Sequence, residues 1–373
     1  MKMRIAGSRI LCVAWLGITG FTTLGLAQSV PTDKADGDKA DGDKAPQEVQ
    51  TPESSPAKAL ELTYKTYRGW DLVLPQESFA RVSGDFRFPS LSSSPFTARL
   101  DGSALRIDRD ADGELDAKVE GAEGLVTLRS QTETSDKFRY SVRLKRTNAG
   151  WLFAASGAVL GILDGQKIRI IDQNNNGRHD DYGEDAMVIG QGRYASFLSR
   201  VINVRGKLYS IEVSGDGRTL NYTPYVGATG TLDLSSRFAT KGKLLSAIIR
   251  SEDGTISYNM TGGPMTVPVG EYRFYCGRIG LGRNVVNFSK GTVRPVTVVA
   301  NETKSVAFGE PLDIDFQYVR EPGRVIIDPK RVRYIGRAGE MYDDWTPFGG
   351  SPKFEVKDVL ANKQIALAVF GGT

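Results

Sequence analysis

Two short segments of the sequence carry residue types and a spacing that bind a hard divalent cation. We call Asp108–Asp116 loop 1 and Asp172–Asp185 loop 2. In each loop the first, third and fifth positions carry a carboxylate or an amide and the sixth is a glycine: Asp108, Asp110, Asp112 and Gly113 in loop 1, and Asp172, Asn174, Asn176 and Gly177 in loop 2. Calcium takes six to eight oxygen ligands, and alternate side chains of a tight loop converge on it when a glycine permits the sharp turn. The spacing therefore predicts two calcium sites.

Further oxygen ligands follow the glycine in each loop. The predicted ligands at positions 7 and 9 are the Glu114 carbonyl and the Asp116 carboxylate in loop 1, and the Arg178 carbonyl and the Asp180 carboxylate in loop 2. Loop 2 has two additional carboxylates, Asp181 and Asp185. Because calcium needs many oxygens, these spare groups make loop 2 the better candidate for complete coordination.

Both loops resemble the calcium-binding loops of EF-hand and dockerin-like proteins, and the resemblance implies that calcium is the bound ion. They depart from that pattern at position 12, where the family has Glu or Asp and this chain has Val119 and Gly183. They also lie between β-like runs, where the family has helices. A re-routed exit that brings Glu120, or Asp181 and Asp185, to the vacant position is our hypothesis for the last ligands.

Electrostatic repulsion separates a metal site from an ordinary acidic turn. Carboxylates about 5 Å apart repel by roughly 3 kcal/mol per pair at an effective dielectric constant near 20, so a converged set needs a cation. The alternative is a pair of solvated turns whose side chains point apart into water. The duplication of the pattern and the glycine at position six favour the cation.

Few residues are present for other chemistry. The chain has one histidine, His179, inside loop 2, and two cysteines, Cys12 and Cys276. These numbers exclude the usual zinc sites and leave any Ser-His-Asp or Cys-His catalytic set dependent on His179.

An alternative function is a glycan-acting hydrolase that uses Glu340 with Asp343 or Asp344 as an acid/base pair. The competing interpretation of that segment is a polar turn.

Short runs rich in β-branched and aromatic residues must position both loops. Asp-Gly pairs mark hairpin turns between many of these runs, and the sequence shows no long amphipathic helix. The run Ala98–Ile107 leads through Asp101-Gly102 into loop 1, and Leu163–Ile171 leads through Asp164-Gly165 into loop 2. This similarity predicts that one strand-turn-strand unit is used twice in an all-β, multidomain fold.

The length of 373 residues predicts two or three domains. We expect an antiparallel β domain with both calcium loops at 57–225, a β-sandwich-like module at 226–300 and an immunoglobulin-like β module at 301–373. The run Val267–Tyr272 resembles the Pro-x-Gly-x-Tyr hairpin of carboxypeptidase-regulatory-like sandwich domains. That resemblance implies that Tyr272 begins an inward-facing strand.

The N-terminal segment predicts export. Residues 1–27 combine a basic start, an apolar stretch and a small-residue cleavage site, which is typical of a signal peptide. Residues 28–56 are rich in Pro, Asp, Lys and Gly and predict a disordered linker. Removal of the signal peptide takes away Lys2, Arg4 and Arg9 and no acidic residue, so the net charge falls from +4 to +1. This charge disfavours nucleic acid as a partner, and no membrane span is expected after cleavage.

After cleavage Cys276 is the remaining cysteine, so no internal disulfide can form. A bacterial envelope location, in the periplasm, at the cell surface or secreted, fits this cysteine usage best. Metal binding would then supply folding free energy. We therefore expect an exported, non-catalytic, calcium-stabilised binding or structural protein, with polysaccharide or other envelope proteins as partners.

Overall fold

The computed structural model describes residues 56–129, 139–322, 324–328, 331–343, 353–358 and 363–369. The predicted signal peptide at 1–27, and the predicted linker at 28–56 apart from residue 56, lie outside the described residues. The described residues form β-sheets with mainly antiparallel pairing and contain no helix. The predicted all-β, multidomain class is therefore confirmed.

The strands up to residue 224 belong to what we call the first unit. Its strands are β1 (Lys58–Glu61), β2 (Thr63–Thr66), β3 (Ala80–Arg81), β4 (Asp85–Phe86), β5 (Phe96–Asp101), β6 (Ala104–Ile107), β7 (Ala117–Val119), β8 (Glu123–Arg129), β9 (Arg139–Thr147), β10 (Gly150–Ala155), β11 (Gly157–Leu163), β12 (Gln166–Ile171), β13 (Ala186–Ile189), β14 (Ser196–Phe197), β15 (Val201–Val204), β16 (Lys207–Val213) and β17 (Thr219–Pro224). They form four sheets in the orders β1-β17-β16-β15, β3-β10-β9-β8, β14-β13-β12-β11-β2 and β4-β5-β6-β7.

The predicted repeat is present as two antiparallel meanders. Strands β5, β6 and β7 form the first and β11, β12 and β13 form the second. Loop 1 connects β6 to β7 between the paired residues Ile107 and Ala117, and loop 2 connects β12 to β13 between the paired residues Ile171 and Ala186. Each loop is therefore held at both ends by a hydrogen-bonded strand pair.

The two meanders differ in how deeply they are buried. In β6 the side chain of Arg106 is exposed while Ile107 is fully buried, so one face of the strand meets the solvent. In β12 Ile168 and Ile170 face the main core of the first unit, and Ile171 faces a smaller core on the other side of the sheet. Complete burial of such a side chain stabilises the fold by about 1.5–3 kcal/mol. Loop 2 therefore starts from a more tightly packed strand than loop 1.

The second unit consists of the strands from residue 229 to residue 343. They are β18 (Thr229–Asp233), β19 (Lys243–Ser251), β20 (Ser257–Asn259), β21 (Met265–Pro268), β22 (Gly270–Leu281), β23 (Asn284–Ser289), β24 (Val296–Val298), β25 (Thr303–Ser305), β26 (Asp313–Asp315), β27 (Tyr318–Glu321), β28 (Arg324–Ile327), β29 (Arg333–Ile335) and β30 (Met341–Asp343). The larger sheet has the order β20-β19-β22-β23-β30-β29-β26, with β24 also paired to β22, and a smaller sheet has the order β21-β18-β25. Strands β27 and β28 form a separate hairpin, as do β31 (Lys353–Asp358) and β32 (Lys363–Val369).

Two sheets of the second unit continue across residues 300 and 301, where the sequence predicts a boundary between modules. Strand β23 pairs with β30, and β18 pairs with β25, so both sheets contain strands from either side of that boundary. One core also crosses it, since Phe288, Phe308 and Tyr342 belong to the same buried cluster. Short strands are recognisable locally in a sequence, whereas their pairing partners lie far away in it, and the division into modules stays a prediction.

Tyr272 lies where the hairpin resemblance implies. Strand β22 begins at Gly270, and the Tyr272 side chain is 1% exposed in the core of the second unit. Its hydroxyl donates a hydrogen bond to the Pro268 carbonyl at 2.9 Å. The local arrangement is thus an inward-facing tyrosine that holds its own turn, and the family relationship stays a prediction.

Candidate metal centres

Loop 1 is organised around the carboxylate of its first residue. The Asp108 side chain is 1% exposed and accepts hydrogen bonds from the backbone N–H groups of Asp110, Ala111 and Gly113 at 3.2, 2.7 and 2.9 Å. Ala111 has a φ of 60° and Gly113 a φ of 93°, both in the left-handed region. Because glycine adopts that region without steric cost, Gly113 allows the loop to close around Asp108.

The three alternate carboxylates of loop 1 converge, as predicted. One oxygen each of Asp108, Asp110 and Asp112 lies within 4.8 Å of the other two, and the residues range from buried through half-buried to exposed. Burial raises the pKa of Asp110, and the neighbouring charges of Asp112, Asp116 and Asp108 add to this shift. Three negative groups in this geometry form a site that could hold a metal ion.

The predicted ligands after the glycine are turned elsewhere. Asp116 accepts two hydrogen bonds from the Arg109 guanidinium, at 2.8 and 2.5 Å, so its carboxylate is ion-paired rather than directed to the other three. The Glu114 carbonyl accepts the Asp116 N–H at 3.1 Å, and Glu120 pairs with Lys118 at 2.9 Å. Asp116 stays a predicted position-9 ligand, for which an arginine seven residues earlier in the chain competes.

Loop 2 repeats the backbone arrangement of loop 1. The Asp172 carboxylate accepts the backbone N–H groups of Asn175, Asn176 and Gly177 at 2.6, 3.2 and 2.6 Å. Asn175 has a φ of 66° and Gly177 a φ of 81°, which are the same fourth and sixth positions that are left-handed in loop 1. The two loops therefore form the same turn, in which backbone N–H groups at positions 4 and 6 donate to the carboxylate at position 1.

Loop 2 contains two carboxylates inside the protein. Asp172 is 1% exposed and Asp185 is fully buried. The Tyr140 hydroxyl donates to Asp172 at 2.6 Å, while Asp185 accepts the N–H groups of Gln173 at 3.3 Å and Asp181 at 3.2 Å. Burial raises the pKa of both carboxyl groups, and the Asp172 charge raises that of Asp185 further. A divalent cation would lower both pKa values, because its positive charge stabilises the ionised carboxylates.

The remaining polar side chains of loop 2 are only partly arranged as predicted. Asn174 and Asn176 both reach the Asp181 carboxylate, but through their side-chain nitrogens, at 3.1 and 2.6 Å. Each amide must turn over to present its oxygen to a cation. Arg178 forms an ion pair with Asp180, at 3.0 and 2.6 Å, so Asp180 is diverted as Asp116 is in loop 1. In loop 1, one oxygen from each of three carboxylates lies within 4.8 Å of the other two. Among the described residues of loop 2, no three carboxylates have oxygens this close together.

Sequence reasoning missed three residues that complete the surroundings of loop 2. The Tyr140 hydroxyl donates to the Asp172 carboxylate. The Gln173 side chain accepts the Gln76 N–H, and the Asn175 side chain accepts the Ala155 N–H. Gln173 and Asn175 occupy even-numbered loop positions, which the metal pattern leaves unspecified. Tyr140 is 32 residues away from Asp172, and no sequence signal connects the two.

His179 belongs to the packing of loop 2. Its ring is 1% exposed, lies 6.4 Å from the Tyr140 ring and has Nδ1 without a hydrogen-bond partner in the described structure. Burial lowers the pKa of the imidazole to about 4. The histidine is therefore neutral at pH 7, and in the described part of the chain no carboxylate forms a hydrogen bond with its Nδ1.

Glu340 lies in the core of the second unit rather than in a cleft. Its side chain is fully buried and accepts hydrogen bonds from the Gly309 N–H, the Ala338 N–H and the Tyr342 hydroxyl at 2.6, 3.0 and 3.0 Å. A polysaccharide cannot reach a carboxylate held in this way. Asp343 ends β30, and Asp344 lies outside the described residues. The burial of Glu340 does not support the acid/base role considered for it, and that role stays a prediction.

Within the described residues, no helix is both long and apolar enough to cross a membrane. Comparison with known proteins gives no match: no family model, no curated protein and no solved structure is significantly similar to this chain.

Proposed function

We propose that this chain is an exported, non-catalytic β protein of the cell envelope or surface, stabilised by calcium in loop 1 and loop 2. The observation that carries the proposal is the cluster of Asp108, Asp110 and Asp112, whose oxygens converge within 4.8 Å. A second loop with the same left-handed positions and the same hydrogen bonds to its first carboxylate supports it.

Calcium fits these donors better than zinc or magnesium. All donors in the two loops are oxygens, whereas a structural zinc site uses cysteine and histidine. Magnesium demands near-ideal octahedral geometry, while calcium tolerates an irregular set of six to eight oxygens and includes water readily. Both loops lack the acidic residue at position 12, so water must fill part of each shell. We therefore expect weak sites, with dissociation constants of about 10⁻⁴–10⁻³ M, as in extracellular modules.

The metal would act on stability. Each loop joins two neighbouring strands, so a bound ion fixes the start of one strand relative to the end of the other. A ligand that binds the folded state alone stabilises it by about 2.7 kcal/mol at a concentration of 100 times its dissociation constant. Polysaccharide or other envelope proteins are the partners that we propose for such a stabilised β scaffold.

Calcium titration of the full chain tests this proposal. We expect two bound ions per chain, and a melting temperature that rises with calcium and falls on addition of chelator. Asp101→Asn is a matched control, since Asp101 lies in the hairpin before loop 1 and pairs with Arg106 outside both loops. A chain that takes up no calcium and melts identically with chelator contradicts the proposal.

A further inference from the structure

Loop 2 lies beside the junction between the two units, by which we mean the contacts of residues 58–224 with residues 229–343. Gln173, the second residue of loop 2, reaches the second unit through one intermediate. Its Oε1 accepts the Gln76 N–H at 3.0 Å, and the Gln76 Oε1 accepts the Tyr275 hydroxyl at 2.9 Å. The Gln173 backbone N–H donates to Asp185 in turn. A predicted metal ligand is thereby linked to a side chain of strand β22.

The exit of loop 2 touches the second unit directly. Gly183 is buried and has a φ of 77°, and a Cβ at this position would lie 2.2 Å from the Gly254 carbonyl oxygen and 2.7 Å from the Arg250 guanidinium. No other residue type fits this close approach without a shift of the backbone. Position 12 of loop 2, where calcium loops normally place a carboxylate, is therefore used to pack against the second unit.

Strand β14 continues this contact. The Gly183 N–H donates to the Leu198 carbonyl at 2.9 Å, and the Leu198 N–H donates to the Asp185 carbonyl at 2.7 Å. The neighbouring Phe197 ring lies 4.4 Å from the Arg250 guanidinium and 5.0 Å from the Tyr275 ring. The backbone that carries Asp185 and the aromatic contact with the second unit thus belong to one hydrogen-bonded segment.

The junction is held by several direct hydrogen bonds, which include those from Asn203 Nδ2 to the Thr266 carbonyl at 3.0 Å and from Asn259 Nδ2 to the Tyr194 carbonyl at 3.4 Å. The Arg200 N–H donates to the Thr255 carbonyl at 2.9 Å, and the Ser257 N–H donates to the Ser199 hydroxyl at 3.1 Å. A cavity of about 100 Å³ also lies between the two units, lined in part by Pro75, Ala195 and Cys276. Ala195 directly precedes β14, so this segment borders both the cavity and the hydrogen bonds of the junction.

We propose that calcium in loop 2, and not calcium in loop 1, fixes the geometry of the junction between the two units. Binding would draw Asp172, Asp181 and Asp185 together and hold the segment from Gly183 to Phe197 against the second unit. Outside itself, loop 1 forms backbone hydrogen bonds to Thr97 and Arg129, which both belong to the first unit. The inference rests on the proposed calcium function, and its test separates the two.

Hydrogen exchange of the full chain measures this coupling at individual amides. With calcium bound, the Arg200 and Ser257 N–H groups should be protected, and chelator should accelerate their exchange at least about fivefold. Asp110→Asn, which impairs loop 1, should leave their protection in calcium unchanged. If titration shows calcium in loop 2 but chelator leaves both amides unaffected, the junction inference is wrong while the proposed function stands. If loop 2 binds no calcium, both are wrong.

Linkage provides a second test that does not depend on loop 2 variants folding. Since coupling is reciprocal, weakening the junction must weaken calcium binding in loop 2. Tyr275→Phe in an Asp110→Asn background should lower the remaining calcium affinity about fivefold. Tyr209→Phe is the control, because the Tyr209 hydroxyl donates to exposed Asp164 at 2.6 Å, and both residues belong to the first unit. Equal calcium affinities in the Tyr275→Phe and Tyr209→Phe chains would overturn the inference.

Discussion

Asp110→Asn separates the two effects that a metal-binding carboxylate has on stability. Asp110 faces Asp108 and Asp112 with oxygens within 4.8 Å. One such pair repels by about 1 kcal/mol at the dielectric constant of water and about 3 kcal/mol at an effective value of 20. Asp110 is half-buried, so screening keeps the total from both neighbours near the lower figure. In chelator, the asparagine variant should therefore be more stable than the parent by about 1 kcal/mol.

Calcium should cancel the benefit of this substitution. At 100 times the dissociation constant, the parent loop gains about 2.7 kcal/mol, and a tenfold loss of affinity reduces that gain to about 1.4 kcal/mol. Urea denaturation of both chains, in chelator and in calcium, measures the four unfolding free energies. Loss of packing would lower the stability in both conditions, so a gain in chelator that calcium removes is specific to a converged anionic site.

Asp101→Asn is the control for this experiment as well, since its carboxylate pairs with Arg106. Its calcium response should equal that of the parent. If Asp110→Asn neither stabilises the chain in chelator nor weakens its response to calcium, loop 1 is a solvated acidic turn and the electrostatic reasoning fails.

Three further substitutions test other parts of the structure. Gly177→Ala should destabilise the fold by about 1–3 kcal/mol in urea denaturation, because Gly177 has a φ of 81° and an added Cβ would lie 2.5 Å from Phe88. Gly192→Ala is the control and should be neutral, since an added Cβ there meets nothing within 4 Å; equal effects of the two substitutions would contradict this reasoning. Tyr140→Phe removes the hydroxyl bonded to the buried carboxylate that begins loop 2, so the unfolding free energy at pH 7 should fall by about 1–3 kcal/mol, and an unchanged value would remove the role given to that bond. Burial raises the pKa of Glu340 above its usual value, so its stabilising contribution is complete below about pH 4.5 and decreases as the pH rises through the folded-state pKa. Glu340→Gln should abolish that component of the pH dependence of the unfolding free energy, and identical pH profiles would contradict the assignment.

The sequence predicts the interior of each acidic loop well because the interactions there are local. The carboxylates of Asp108 and Asp172 are satisfied by backbone groups within the next five residues, and a glycine at position six permits the required turn. The strands on either side are equally readable, since β-branched runs and Asp-Gly turns specify hairpins over short distances. The duplicated meander followed from these local signals alone.

The sequence does not reveal competition for the same side chains. Asp116 and Asp180 have suitable spacing for metal ligation, yet Arg109 and Arg178 form ion pairs with them. A motif specifies which oxygens can converge, but the nearest cation in three dimensions decides where each one points. A sequence also does not show contacts between distant segments. The buried Glu340 carboxylate, for example, accepts a hydrogen bond from the Gly309 N–H, 31 residues earlier in the chain.

Equilibrium dialysis of the full chain against calcium counts the ions that the two loops bind. Because the expected dissociation constants are about 10⁻⁴–10⁻³ M, free calcium must be raised to at least about ten times these values. Binding should then saturate at two ions per chain, at one ion after Asp108→Asn and at none after Asp108→Asn combined with Asp172→Asn. A parent chain that binds no calcium under these conditions, or a double variant that still binds two ions, contradicts the proposed calcium binding.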